Sequence, residues 1–271
     1  MSRPVHTTPA SFIDLAHVSV MRGEEIVLHD LALHIPTGQC VAILGPNGCG
    51  KSTLVQTLTR ELYPLVAPGM QVRVFGRERW DVTELRRRLG IVPSAPPPRD
   101  ALTVPALDVV VAGFFSAARL WPNLRPTTAM REEAHATMEQ LGVAALADRE
   151  LGAMSAGQQK RVMIARALCS SGDGSGVRVL VLDEPSNTLD LRAQHELRET
   201  LQRLATDGVG LVLVTHHTHD ITTAFQRVLL MNTGRIVADG APAQFLTSEE
   251  LSRLYGLPLH VQQRDGLYFA L

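Results

Sequence analysis

Between Phe12 and Ile35 the apolar pattern has period two in places: Leu31, Leu33 and Ile35 alternate with Ala32 and His34, and Val18 and Val20 flank Ser19. That period predicts antiparallel strands with one solvated face. Val41-Ala42-Ile43-Leu44 is instead a continuous apolar run, the mark of a strand buried on both faces. A glycine-rich break follows, Gly45 to Gly50, and then Leu54, Val55, Leu58 and Leu62 fall on one side of a helical repeat. Val72 to Phe75 reads as a further short strand. Later apolar runs at Val179–Leu182, Leu211–Val214 and Val228–Met231 read as strands, and Leu197, Leu201 and Leu204 mark a helix between the first two. Strand alternating with helix predicts an α/β fold whose mixed or parallel core sheet is covered on both faces, with an antiparallel β part near the start.

The middle of the chain has a different texture. Pro96-Pro97-Pro98 opens a stretch, about 94–171, whose segments Thr128–Leu141 and Gly157–Leu168 suit helices. It reads as a helical subdomain inserted into a core formed by about 10–93 and 177–271, the whole chain 1–271 making a single domain. Ser170 to Gly176, rich in Gly and Ser, reads as a flexible connector back to the core.

Composition narrows the function classes. Of 271 residues 45% are apolar, enough for a sizeable core, and the formal charge of −1 lacks the positive field of a nucleic-acid-coating protein. No direct nucleic-acid binding is therefore expected. No apolar run reaches the roughly 18 residues that span a bilayer. Ala101–Leu124, the most apolar stretch, is broken by Pro105, Asp108, Arg119 and Pro122. The first residues contain no apolar signal-peptide core, so a cytoplasmic protein is expected, with any membrane role carried by a partner. Cys40, Cys49 and Cys169 fit neither a disulfide framework nor a zinc spacing.

Gly45-Pro46-Asn47-Gly48-Cys49-Gly50-Lys51-Ser52 matches G-x-x-x-x-G-K-[ST] in full, between a predicted buried strand and a predicted helix. Such a loop turns backbone N–H groups onto phosphate oxygens at a helix start that includes Thr53. Lys51 can reach the β- and γ-phosphates, and the Ser52 hydroxyl can ligate Mg²⁺. The buried run Leu180-Val181-Leu182 ends in Asp183, placed to hold Mg²⁺ through water, and in Glu184, placed to orient and deprotonate an attacking water.

With those two motifs in place the chain resembles an ATP-binding cassette (ABC) ATPase. Met154-Ser155-Ala156-Gly157-Gln158 resembles that family's signature, Ser186 to Asp190 its D-loop, and Val214-Thr215-His216 its switch histidine, all in the family's order. Ile91 to Ser94, Val110 to Phe115 and Thr215-His216-His217 resemble the molybdate- or iron-type importer branch. The resemblance implies a P-loop NTPase fold, ATP and Mg²⁺ as cofactors, and catalysis by Lys51, Glu184 and His216, the last holding the attacking water. It implies a head-to-tail homodimer or paired ATPase subunit, with Ser155, Gly157 and Gln158 of one chain facing the phosphate loop of the other. It also implies a membrane-spanning permease that keeps the subunit on the inner face of the membrane. Ser155 read by itself is a simple helix N-cap. The alternative function is a soluble ABC ATPase acting as an ATP-gated switch on a protein or nucleic-acid partner, although such proteins typically join two cassettes in one chain.

Two positions depart from the family. No aromatic residue lies between Phe12 and Tyr63 to stack on adenine, and the corresponding place falls on Arg22, whose planar guanidinium can stack instead. The competing reading of Arg22 is a solvated turn residue. Ser94 stands where the Q-loop glutamine is expected, too short to link both metal and membrane partner. The helix start and Lys51 are expected to lower the thiol pKa of Cys49, unless it is a small filler residue. Phe114 to Trp121 is either a permease-docking segment or ordinary core. His216, His217 and His219 are spaced poorly for a metal cage.

Overall fold

The computed structural model describes residues 11–169 and 179–271, so the Gly/Ser-rich connector lies outside the described residues. Two sheets form the core. Strands β1 (Ser11–Arg22), β2 (Glu25–Pro36) and β4 (Gln71–Val74) make a three-stranded antiparallel sheet in the order β2-β1-β4. Strands β3 (Val41–Leu44), β5 (Leu89–Val92), β6 (Val179–Asp183), β7 (Gly210–Thr215), β8 (Arg227–Asn232) and β9 (Arg235–Gly240) make a second sheet in the order β5-β6-β7-β3-β8-β9. Its pairings are parallel except β8 with β9.

The continuous apolar runs do become strands buried along their whole length: every residue of β3, β6 and β7 is buried. Because side chains alternate across a strand, each strand feeds two cores. Val41, Ile43, Val179, Val181, Val212 and Val214 pack toward the antiparallel sheet and α1 (Lys51–Leu58). Ala42, Leu44, Leu180, Leu182, Leu211 and Leu213 pack toward the helical side.

Between β5 and β6 the described residues hold α3 (Ala106–Val111), α4 (Thr128–Gln140) and α5 (Ala156–Leu168), joined by 3₁₀ turns and a single bridge from Pro105 to Glu150. Helix α2 (Val82–Arg88) precedes β5, and α6 (Leu191–Thr206) joins β6 to β7. The chain ends in α7 (Pro242–Phe245), α8 (Ser248–Tyr255) and a hairpin of β10 (Val261–Arg264) and β11 (Leu267–Ala270). One predicted element is shorter than its pattern: α1 stops at Leu58. Arg60, at φ 62°, leaves helical backbone, and Leu62 reaches the same core from the turn beyond.

Register brings the functional strand ends together. Leu44 is paired with Thr215 across β3 and β7, and Asp183 with Val214 across β6 and β7. The residues just past these pairs, Gly45, Glu184 and His216, therefore leave the sheet at one carboxyl-terminal edge, the usual place for ligands in parallel α/β sheets.

Candidate functional site

The loop from Gly45 to Gly50 carries the chain from β3 into α1. Gly50 sits at φ 104° as the N-cap, and a Cβ there would come within 2.8 Å of the Leu28 side chain, so both backbone and space require glycine. No side chain caps α1, which leaves the N–H groups of its first turn to a ligand. A cavity of about 370 Å³ opens there. Arg22 and Val27 of the β1–β2 hairpin line one side, Asn47, Gly48 and Gly50 to Thr53 the floor, and Glu184 the other side. Lys51, 4% exposed, folds back to donate to the carbonyls of Gly45 at 2.8 Å and Pro46 at 3.0 Å, with Glu184 Oε1 3.7 Å from its Nζ. The structure thus gathers Asn47, Gly48, Gly50 to Thr53 and Glu184 with Arg22 around one cavity, whereas Asp183 and His216 do not line it.

Cys49 corrects an expectation. Its thiol is buried and its pKa is raised, because burial outweighs the favourable field of Lys51. The side chain packs under the loop in the antiparallel-side core, which leaves it the filler role.

Asp183 is 7% exposed, and its Oδ2 accepts from Ser52 Oγ at 3.3 Å and Ser94 Oγ at 3.2 Å. Its Oδ1 is buried without a hydrogen-bond partner. Burial, with the neighbouring Glu184 charge, pushes its pKa up against the two hydroxyls and Lys51. A buried carboxylate with an unmatched oxygen beside a hydroxyl is the donor set a hard divalent cation takes, so the residues present fit Mg²⁺. Ser94, too short for a glutamine's reach, still donates to the Asp183 carboxylate.

Glu184 stands at φ 46°, a strained backbone for a non-glycine residue, held there by its N–H donating to Val214 O at 2.8 Å. Asn187 Nδ2 donates to its Oε2 at 2.6 Å, and His216 Nδ1 lies 3.3 Å from its Oε1, off the line of a good hydrogen bond. Burial would raise its pKa, but the Asn187 amide, the His216 ring and the Lys51 cation outweigh that and hold it below the ordinary glutamate value. An ionised carboxylate next to a half-buried imidazole suits the activation of a water.

The signature residues lie elsewhere. Ser155 caps α5 in a reciprocal box: its Oγ accepts from the Gln158 N–H at 3.3 Å, and Gln158 Oε1 accepts from the Ser155 N–H at 3.0 Å. Gly157 packs against α6, where a Cβ would meet that of Ala193 at 2.7 Å. None of the three lines the phosphate-loop cavity.

Phe114 is core, Phe115 is half-buried, and Trp121 is exposed with the Arg119 guanidinium 4.0 Å from its ring centroid, so the segment runs from core to surface. His217 stacks on His219 at a centroid spacing of 5.1 Å and lies tilted against His216 at 3.9 Å, and no group of three or more His, Cys, Asp or Glu side chains that could hold a metal occurs among the described residues. Sequence reasoning assigned no role to Asp220, whose buried Oδ2 accepts from Ser186 Oγ at 2.6 Å and Thr215 Oγ1 at 2.7 Å, tying the D-loop to the end of β7. Asn187, quoted only as part of the D-loop, proves to be the residue that holds Glu184.

The family described as ABC transporter matches residues 28–187 of this chain. The hemin import ATP-binding protein HmuV of Aliivibrio fischeri is 31% identical, the match covering 95% of each chain. HmuV of Deinococcus radiodurans is 35% identical over 90% of each. The zinc transport system ATP-binding protein TroB of Treponema pallidum is 35% identical, over 85% of this chain and 81% of its own. Among solved structures, a metal-chelate type ABC transporter in an inward-facing conformation superposes with a TM-score of 0.77 at 26% identity, covering 96% of each chain.

Proposed function

This chain belongs to the ATP-binding subunits of ABC transporters, and from that premise we propose that it powers import as one half of a head-to-tail pair. It is an ATPase subunit. Two ATP molecules would lie between the copies, each held by one chain's phosphate loop and by the other chain's Ser155, Gly157 and Gln158. Lys51 would neutralise the β- and γ-phosphates, leaving the loop carbonyls it now caps. Ser52 and Asp183 would hold Mg²⁺, which supplies charge neutralisation at the phosphates. Glu184 would take the proton of the attacking water, with His216 keeping that water in line. Arg22 would lie against adenine. The observation that supports the paired reading is that Arg22, Lys51, Ser52 and Glu184 line the phosphate-loop cavity while Ser155, Gly157 and Gln158 do not.

Import rather than a soluble ATP-gated switch is favoured by relatives that are import subunits for hemin and zinc. No helix among the described residues is long and apolar enough to cross a membrane, so the membrane step would belong to a permease. A cleft of about 280 Å³ between β5 and the helical segment suits a permease segment; Arg86, Ile91 and Arg166 line it, as does Ser116, whose buried hydroxyl lacks a partner. Glu184→Gln keeps size and removes the base. Hydrolysis should fall by about 10²–10⁴-fold while ATP drives the variant into a dimer seen by sedimentation. A variant that stays monomeric at saturating ATP, or that turns over like the parent, refutes the reading.

A further inference from the structure

A second cavity of about 210 Å³ is lined by Ser94, whose hydroxyl donates to Asp183 Oδ2 at 3.2 Å. Three segments meet around it: Pro93 and Ser94 leaving β5, Lys160 and Met163 of α5, and Asn187 to Leu189 following Glu184. The neighbours of Lys160 on α5 are engaged. Gln159 donates to Met154 O at 3.1 Å, and Arg161 pairs with Glu196 at 3.1 Å. Lys160 is half-buried, yet among the described residues it makes no hydrogen bond or ion pair within 4 Å. A cation left without a contact in a confined space costs free energy unless a nearby charge compensates. The carboxylate whose field acts on it is Asp183, working against the burial that lowers its pKa. Asp183 in turn has one oxygen tied to Ser94, which lines the same cavity, and one oxygen with no partner.

We propose that Lys160 is a positioning residue through which α5 responds to metal binding at Asp183. Without the metal, the Asp183 carboxylate attracts the ammonium. When Mg²⁺ sits on that carboxylate the local charge reverses, and the same ammonium is repelled. Lys160 lies five residues along from Ser155 on the helix whose first turn carries Gly157 and Gln158. A push on Lys160 is therefore a push on the helix that presents the signature to the partner copy. Ser94 keeps only the short contact to Asp183, and the lysine supplies the reach from the helical side. Coupling is reciprocal: if metal repels Lys160, then Lys160 weakens metal binding by the same factor.

The inference rests on Asp183 being the metal carboxylate, and the experiment separates the two. Mn²⁺ binding to the full chain loaded with a non-hydrolysable ATP analogue is followed by electron paramagnetic resonance. Lys160→Met removes the charge and keeps the stem, and should tighten Mn²⁺ by about three- to tenfold. Lys160→Gln should do the same, which guards against a folding defect in one variant. Lys160→Arg keeps the charge and should match the parent. Hydrogen exchange at the start of α5 should change on Mn²⁺ addition in the parent and not in Lys160→Met. Parent-like Mn²⁺ affinity in both neutral variants overturns the role of Lys160 even if Asp183→Asn has lost the metal. Unchanged affinity in Asp183→Asn overturns the assignment of Asp183, and the inference with it.

Discussion

At the ends of β3, β6 and β7 the polar groups gather at one edge of the sheet and are only partly matched: Asp183 has an oxygen without a partner, and Lys51 rests on loop carbonyls. At the start of α5 they are matched within a single turn, Ser155 and Gln158 exchanging two hydrogen bonds. The first region holds opposing charges close together, which raises and lowers pKa values and favours a charged ligand. The second is neutral and stable as it stands. A region that is electrostatically unfinished will take a ligand by itself. A finished helix start gains a ligand only when something presents one with enough binding energy to compete with its cap.

That contrast can be broken by experiment. The largest effect is expected at His216, where His216→Ala should lower turnover by about 10²–10⁴-fold with nucleotide affinity kept; equal losses in both would place the imidazole in binding rather than in water activation. Next comes Arg22. If its plane lies on adenine, Arg22→Ala should weaken ATP binding by about 1–3 kcal/mol, the range for stacking on a base. Arg22→Tyr should restore most of that and Arg22→Lys should not, since an ammonium cannot stack. Titration of the three variants decides it, and the reverse order would indicate a contact with phosphate instead. At the neutral end, Ser155→Ala should cost about 1 kcal/mol of stability through the lost cap, measured by denaturant unfolding. Ser155→Asp should keep the cap and yet block ATP-driven pairing, because its charge would face a phosphate; a variant that pairs normally would detach the signature from the nucleotide. The smallest signal is a near-absence. Cys40, Cys49 and Cys169 are all buried with raised thiol pKa values, that of Cys169 to about 11, so native-state alkylation near neutral pH should be slow at all three and nearly insensitive to ATP. Rapid, ATP-protected labelling of Cys49 alone would show the loop to be more open than its packing.

Much of the fold was readable because a strand buried on both faces leaves an uninterrupted apolar run, and β3, β6 and β7 are such strands. Their ends could be read too, since phosphate and metal chemistry demand particular residues directly after the run. What the residues did not disclose depends on distant neighbours. Cys49 sits beside a helix start and a lysine, which argues for a reactive thiol, but the burial that reverses the sign comes from the three-stranded sheet folding over it. Asp220 looks like one acid in a histidine-rich corner until Ser186 is brought 2.6 Å from it. The terminal hairpin was legible and went unread: Asp265 and Gly266, at φ 51° and 77°, are the residue pair a tight two-residue turn prefers. Lys160 belongs in sequence to the helix that follows the signature, and its isolation exists only once β5, α5 and the segment after β6 surround it.

The alternation of β3, β6 and β7 between two cores has a consequence for how this molecule can vary. Val212 and Leu213 are adjacent in the chain, yet one packs with the antiparallel sheet and the other with the helical side. A lost methylene at either should cost about 1 kcal/mol, but the slack appears in different halves, one bearing the nucleotide loop and the other bearing the signature helix. Drift at odd and even positions of the same strand can therefore retune the side that bears the phosphate loop and the side that bears α5 separately, with the strand ends left in register.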